Sequence, residues 1–422
     1  MKKKILKIKF YITLVFNKRM SHIIIERKYI KTRDKLHTIY NHNDCVNKSL
    51  KLFNIDRNNS EIREIIKSLF NYLKLSKVDE KIENELAQSI NNVESRMLKV
   101  HHWKSLYYIT SLNGRFYLAN LFREHALKRS LSYQFKLLSN PFLWDLKYRA
   151  LLDEGSFDQA FDLIHKIELS ILRFLYPIKF MKVSVMTFNE NRFNLIPYLM
   201  KKTKKSNSDY YNLVKGKKIA LVGPAPSDDN WFNELNEFDL IIRLNYRGKE
   251  FLPGENENSK KIDISYYNGE NADNLLKLES KEFLNELKFA NFKGNIFKLL
   301  DKEYRKKFKL MIYPDISFIG SYNMIPLVLF DLLFYSPKSI KVFKTTFFIS
   351  RDSYDSNYTL EQNTNRDLSS YYNSFTVHNP ISQIRYVRNL YLNGIIEVDD
   401  NCAKVLELSD DEYLKILQKE YS

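Results

Sequence analysis

The chain has 422 residues, 44% of them hydrophobic and 14% aromatic, which excludes a disordered protein and suffices for two or three packed domains. Lys and Arg exceed Asp and Glu by 67 to 50, a formal charge of +17 that favours anionic partners, although a Lys-rich composition alone gives the same sum. Cys45 and Cys402 stand far apart with no Cys or His beside them, so neither a zinc site nor a disulfide framework is implied and a reducing, cytoplasmic setting is expected.

Residues 1–58 are basic and carry no assignable element. The opening MKKKILKIKFYITLVFNKR begins like a signal peptide, yet its apolar core Phe10–Phe16 contains Thr13 and runs into Asn17-Lys18-Arg19 rather than a cleavage site. It is also shorter than the ~20 apolar residues of a membrane span. Two readings stand for it: a first helix or strand with solvated lysines, or a basic amphipathic stretch that touches an anionic inner leaflet.

Residues 59–200 read as a helical domain. Ile62, Ile65, Ile66 and Leu69, then Leu86, Ile90, Val93 and Met97, recur at helical spacing. Ser105–Leu131 and Asp145–Ile167 each place a glycine turn (Gly114, Gly155) between two helical patterns, with an alanine (Ala119, Ala160) on the second. That layout resembles a tetratricopeptide (TPR) unit, and two copies are fewer than a free-standing solenoid needs. The segment is read either as a module that docks a protein partner or as plain helical packing. The polar run KKTKKSNSD, Lys201–Asp209, opens an expected linker over 201–215.

From residue 216 the periodicity changes. Ile219–Val222 is a short apolar run that breaks at Gly223-Pro224-Ala225-Pro226-Ser227, and Leu240-Ile241-Ile242 is a second that ends on Arg243 and Asn245. This predicts strand, tight loop, helix capped by Ser227 and its following aspartates, and strand. Ile262–Tyr267, Leu310–Tyr313, Ile340–Phe343 and Phe375-Thr376-Val377 read as further β-rich runs, while Leu284–Ala290, Ile325–Phe334 and Ser382–Leu392 have helical spacing. The expected fold class is therefore α/β: a mostly parallel, doubly wound, Rossmann-type sheet over 216–422, joined to an α-helical, TPR-like N-terminal domain.

Polar residues follow the strands: Ser227 the first, Asn245 the second and Asn268 the third. Gly320-Ser321 precede a helix beginning near Asn323, and His378 precedes a helix opened by Pro380. Each fits an ordinary turn or cap by itself. Parallel topology, however, brings successive strand ends to one edge, where open α/β sheets bind ligands, and a histidine at such an edge can take a proton near neutral pH.

The succession VGPAPS, FDLIIRLN, DISYYN, IGSYNMIPLVLFDLLFYSPKSIKVF and HNPISQIRYVRNLYLNGIIEV resembles the sialyltransferases, most closely the bacterial enzymes with one α/β domain. The resemblance spans Lys217–Val398. It implies that Gly223, Ala225, Pro226 and Ser227 lie against the nucleotide of a CMP-activated sugar acid, that Asn245 and Asn268 lie near its phosphate and sugar, that Gly320 and Ser321 contact the donor, and that His378 is the general base. Tyr354 and Tyr358 are candidates for the tyrosines that bond the leaving phosphate. Two departures stand out: Pro224 replaces the family's usual Asn, and Lys344-Thr345-Thr346 replaces a glycine-bearing turn.

The function expected is an inverting glycosyltransferase that adds sialic acid, or a related ulosonic acid, to lipooligosaccharide or capsule without a metal or other cofactor. Its partners would be a CMP-sugar donor, either CMP-sialic acid or CMP-Kdo, and a glycan acceptor. No D-x-D ends a strand here; Asp228-Asp229 read as a cap and Asp399-Asp400 as a surface turn. A non-catalytic scaffold or membrane-surface protein with a degenerate transferase domain is the alternative, and no basic helix or aromatic motif supports nucleic acid.

Overall fold

A computed structural model describes residues 20–56, 59–134, 142–169, 181–182, 184–185, 187–188, 205–226, 231–249, 252, 260–277, 281–294, 307–312, 316–351 and 367–422. The N-terminal part is helical: α1 Met20–Tyr40, α2 Cys45–Phe53, α3 Ser60–Leu73, α4 Glu80–Asn92, α5 Val100–Leu112, α6 Phe116–Leu131, α7 Phe142–Asp153 and α8 Phe157–Glu168. The basic segment therefore does hold regular elements from Met20 onward. Asn59 and Asp79 cap α3 and α4 by accepting from backbone N–H groups of the first turn. Gly114 and Gly155 turn the chain between α5 and α6 and between α7 and α8, both with φ near +70° (69° and 73°).

The second half is a seven-stranded sheet, all parallel, built from β1 Lys218–Val222, β2 Leu240–Leu244, β3 Ile264–Tyr267, β4 Phe289–Phe292, β5 Phe308–Leu310, β6 Ser339–Phe343 and β7 Glu397–Val398. Its order is β5-β4-β3-β2-β1-β6-β7, so the winding reverses at β1. The helices in this half are α9 Lys205–Val214, α10 Gly269–Leu276, α11 Met324–Leu333, α12 Leu368–Val377, α13 Pro380–Leu392, α14 Asp400–Leu406 and α15 Asp410–Glu420.

Strand residues alternate between two apolar layers, which is why Ile219–Val222 of β1 and Leu240–Ile242 of β2 read as unbroken apolar runs. Ile219, Leu221, Ile242 and Ile264 face a large core shared with α11 and α13, whereas Ala220, Val222 and Ile241 pack on Trp231 and Leu235. The large core does not stop at the expected boundary. Phe116, Trp144, Ala160 and Ile164 of the helical half belong to it, and Phe318 and Ile319 in turn belong to the core of the helical half.

Four expectations are corrected. The linker expected at 201–215 is helix from Lys205 to Val214, with Tyr210 and Val214 fully buried. Leu284–Ala290 is not a helix: a 3-10 turn, Glu282–Glu286, gives way to β4, a strand the spacing concealed. The strand sought at Leu310–Tyr313 lies earlier, at Phe308–Leu310. Phe375-Thr376-Val377 is the last turn of α12, begun by Asp367, whose side chain accepts from Ser370 N–H.

Candidate active site

Because all strands run one way, their carboxyl ends form a single edge, and β1 marks the switch point on it. There the loop after β1 does not part from β6. Gly223 N–H donates to Phe343 O (2.8 Å) and Ala225 N–H to Lys344 O (3.1 Å), which extends the ladder past both strands. A Cβ at Gly223 would lie 2.3 Å from Lys344 O, so only glycine permits this approach. Alternate residues donate toward β6, and Pro224 between them has no N–H to satisfy; its place in the loop costs no ladder bond.

Trp231 sits at this switch point between two buried cations. The Arg243 guanidinium carbon lies 5.4 Å and Lys344 Nζ 5.0 Å from its ring. Lys344 takes the left-handed conformation (φ 54°), and its N–H donates to Asp399 Oδ2 at 2.7 Å. Asp399 Oδ1 also accepts from Cys402 N–H, so Asp399 caps α14 and fixes the turn after β6; it is not part of a surface turn.

The next group lies at the ends of β2 and β3. Asn245 is left-handed (φ 52°), a conformation asparagine tolerates better than most residues. Its N–H donates to Tyr266 O at 2.8 Å, and its side-chain oxygen accepts from Asn268 N–H at 3.3 Å. The two asparagines singled out by sequence are thus joined directly.

A third group carries the imidazole. His378 follows α12 and forms an antiparallel bridge with Gly320. Ser321 N–H donates to Val377 O (2.7 Å), while Ser321 O lies 3.0 Å from His378 Nδ1 and accepts from Gln383 Nε2, also at 3.0 Å. A carbonyl only accepts, so Nδ1 carries the proton and Nε2 keeps its lone pair. Gln383 returns the constraint by accepting from Asn323 N–H at 2.8 Å, at the start of α11.

His378 is more enclosed than expected of an edge residue. Burial, helped by the charge of Lys293 and opposed by the bond to Ser321 O, holds its pKa below the usual value. Lys293 follows β4, and its N–H donates to Tyr267 O, one residue before Asn268.

The structure therefore ties Gly320, Ser321 and His378 into one unit, Asn245 and Asn268 into another, and Gly223 and Ala225 to Lys344, with Pro226 exposed at the end of that loop. Ser227, Tyr354 and Tyr358 lie outside the described residues. Sequence reasoning missed Gln383, Lys293 and Trp231 as contributors. Gln383 reads as an unremarked polar residue within an apolar helix, and only its complete burial sets it apart. Among the described residues no group of three or more His, Cys, Asp or Glu side chains is placed to hold a metal ion, and no helix is long and apolar enough to cross a membrane.

Fold and site together define an α/β protein with an N-terminal helical region and a neutral imidazole at the carboxyl edge of a parallel sheet. Comparison with protein-family models, with curated proteins and with solved structures found no match to this chain.

Proposed function

We propose that the chain is a sialyltransferase-like enzyme that moves sialic acid, or a related ulosonic acid, from a CMP-activated donor to a hydroxyl of a surface glycan. The observation that carries this reading is the committed tautomer of His378. With Nδ1–H given to Ser321 O, Nε2 is a proton acceptor at neutral pH. Lys293 and Lys344 directly follow β4 and β6 and bring positive charge to the same edge, which suits a donor bearing a phosphate and a carboxylate.

In this reading His378 Nε2 takes the proton of the acceptor hydroxyl as its oxygen attacks the anomeric carbon. The bond from that carbon to the phosphate oxygen breaks, and CMP leaves with the electron pair, which inverts the centre. Gly223, Ala225, Pro226 and Ser227 would face the nucleotide, Asn245 and Asn268 the phosphate and sugar, and Gly320 and Ser321 the donor. Tyr354 and Tyr358 are the residues assigned to the leaving phosphate. CMP is a good leaving group, so turnover is expected in EDTA. We place the reaction at the cytoplasmic face of the membrane, with the helical half, expected to be TPR-like, open to a protein partner.

The test is CMP release from CMP-sialic acid and, separately, CMP-Kdo, with a glycan acceptor present. Release from one donor names it. No release from either, with CMP still bound, would favour the non-catalytic scaffold. His378→Ala is expected to lower transfer at least ~100-fold while CMP still binds, and near-full transfer by this variant would overturn the assignment of the base.

A further inference from the structure

We infer that the helical half is a working part of the site, and that Tyr107, backed by Lys104 and Arg149, positions His378; the inference rests on the reading of His378 as the acceptor base. Two backbone segments meet at the Gly320–His378 bridge, and both are held from the helical half. On one, Lys104 Nζ donates to Phe318 O at 2.5 Å and Arg149 Nη1 to Ser317 O at 3.1 Å. On the other, the Tyr107 hydroxyl donates to Phe375 O at 3.2 Å and accepts from Asn379 Nδ2 at 2.7 Å.

Tyr107 therefore spans the turn that contains His378. It fixes residue 375, in the last turn of α12, to residue 379, the cap of α13, with the imidazole between them. Asn379 is fully committed: its Oδ1 accepts from Ser382 N–H at 2.7 Å while its Nδ2 reaches Tyr107. Tyr107 and Asn379 are buried, at 3% and 1% exposure, so neither can touch a substrate and both act through the histidine. On the facing segment, Lys104 Nζ also lies 4.0 Å from the centre of the Phe318 ring, so the amine packs on the residue whose carbonyl it binds, and burial beside Arg149 lowers its pKa to about 7. The carbonyl that sets the imidazole tautomer, Ser321 O, is three residues beyond that anchor. A shift of either segment changes the direction of Nε2, and misplacement of a base by about 1 Å costs on the order of 100-fold in rate.

The experiment is a pH titration of histidine Cε1 resonances in the full chain, with His378 assigned by the signal lost in His378→Gln. Wild type is expected to titrate below the ordinary histidine value of about 6.5. Tyr107→Phe is expected to move the His378 midpoint up by roughly half a unit or more, because a loosened turn admits water. It should also lower kcat about tenfold with donor KM unchanged.

Asn379→Ser retains a capping oxygen for Ser382 N–H but loses the donor to Tyr107, and should behave alike if Tyr107→Phe fails to fold. Tyr72→Phe removes another buried hydroxyl of the helical half, the one donating to Glu83 (3.1 Å), and should leave the His378 titration unchanged. If folded Tyr107→Phe and Asn379→Ser both keep the wild-type chemical shift and midpoint, the inference is overturned. Absence of CMP release from wild type would sink the transferase reading, while the titration would still decide whether Tyr107 positions the ring.

Discussion

Gly320 is the residue on which the imidazole group turns. Its φ of +71° is left-handed, and a Cβ there would lie 2.3 Å from Val377 O, a backbone atom that cannot swing aside. Gly320→Ala should therefore cost about 2 kcal/mol or more, the left-handed strain plus the displaced bridge, measured as a lower urea midpoint at unchanged slope. His378 itself makes a pH statement. Its folded pKa is depressed by burial and Lys293, so between about 6.5 and the lower folded value the unfolded chain binds more protons than the folded one. This histidine's contribution to stability is thus intact above about pH 6.5 and is lost as pH falls through the folded value. The acidic limb of kcat/KM should likewise lie below about 6.5, and a limb at or above that value would contradict an enclosed base.

Element by element, the parts legible in sequence were those in which one periodicity had no rival. β1 and β2 hold short apolar runs and β3 and β6 short β-rich ones, each with a turn behind it, and α11 and α13 are long enough to show helical spacing. β4 was illegible because Phe289–Phe292 has only four residues and follows Leu284 and Leu287, whose spacing imitates a helix. β5 hid because Lys309, a residue type that reads as solvated, is wholly buried there. It survives burial by giving Nζ to both carboxylate oxygens of Asp331 on α11, at 2.8 and 2.7 Å. Asp331 also accepts from the Tyr266 hydroxyl (2.6 Å), and Tyr266 meets the Tyr210 hydroxyl of α9 at 2.6 Å. This chain of contacts holds α9 against the sheet despite its polar sequence. Asp331→Ala strands the buried ammonium and should cost about 3–5 kcal/mol. Adding Lys309→Met should recover part of that loss, and a double variant no better than the single one would show that the ion pair is not what fails.

At the scale of the whole molecule, sequence suggested two domains and a linker, because a helical period gives way to a strand period near residue 216. What it could not show is that charges far apart in the chain are buried together between the halves. Asp153 on α7 binds Arg123 on α6 and accepts from Ser382 Oγ (2.9 Å) and Arg385 Nη1 (3.1 Å), both on α13. Arg385 Nε reaches Asp410 Oδ2 at 2.6 Å, and Gln418 Nε2 on α15 reaches Glu83 Oε2 on α4 at 2.9 Å. With an apolar core also shared, unfolding either half exposes surface and strands charge in the other. Urea unfolding should therefore be a single transition in which tryptophan fluorescence, from Trp103 and Trp144 in the helices and Trp231 on the sheet, coincides with the loss of helical circular dichroism. Two separated transitions would mean that the halves stand alone. Acid tests the same seam. Burial raises the Asp153 pKa, but Arg123 and Arg385 outweigh it and leave the carboxyl below its usual range, so its contribution to stability is complete above about pH 3.9 and drains away as pH falls through the folded value. Asp153→Asn, which keeps the shape and removes the charge between two arginines, should lower the stability at pH 7 by about 3 kcal/mol and flatten the acid dependence. An unchanged urea midpoint in that variant would show that the seam is held by its apolar contacts alone.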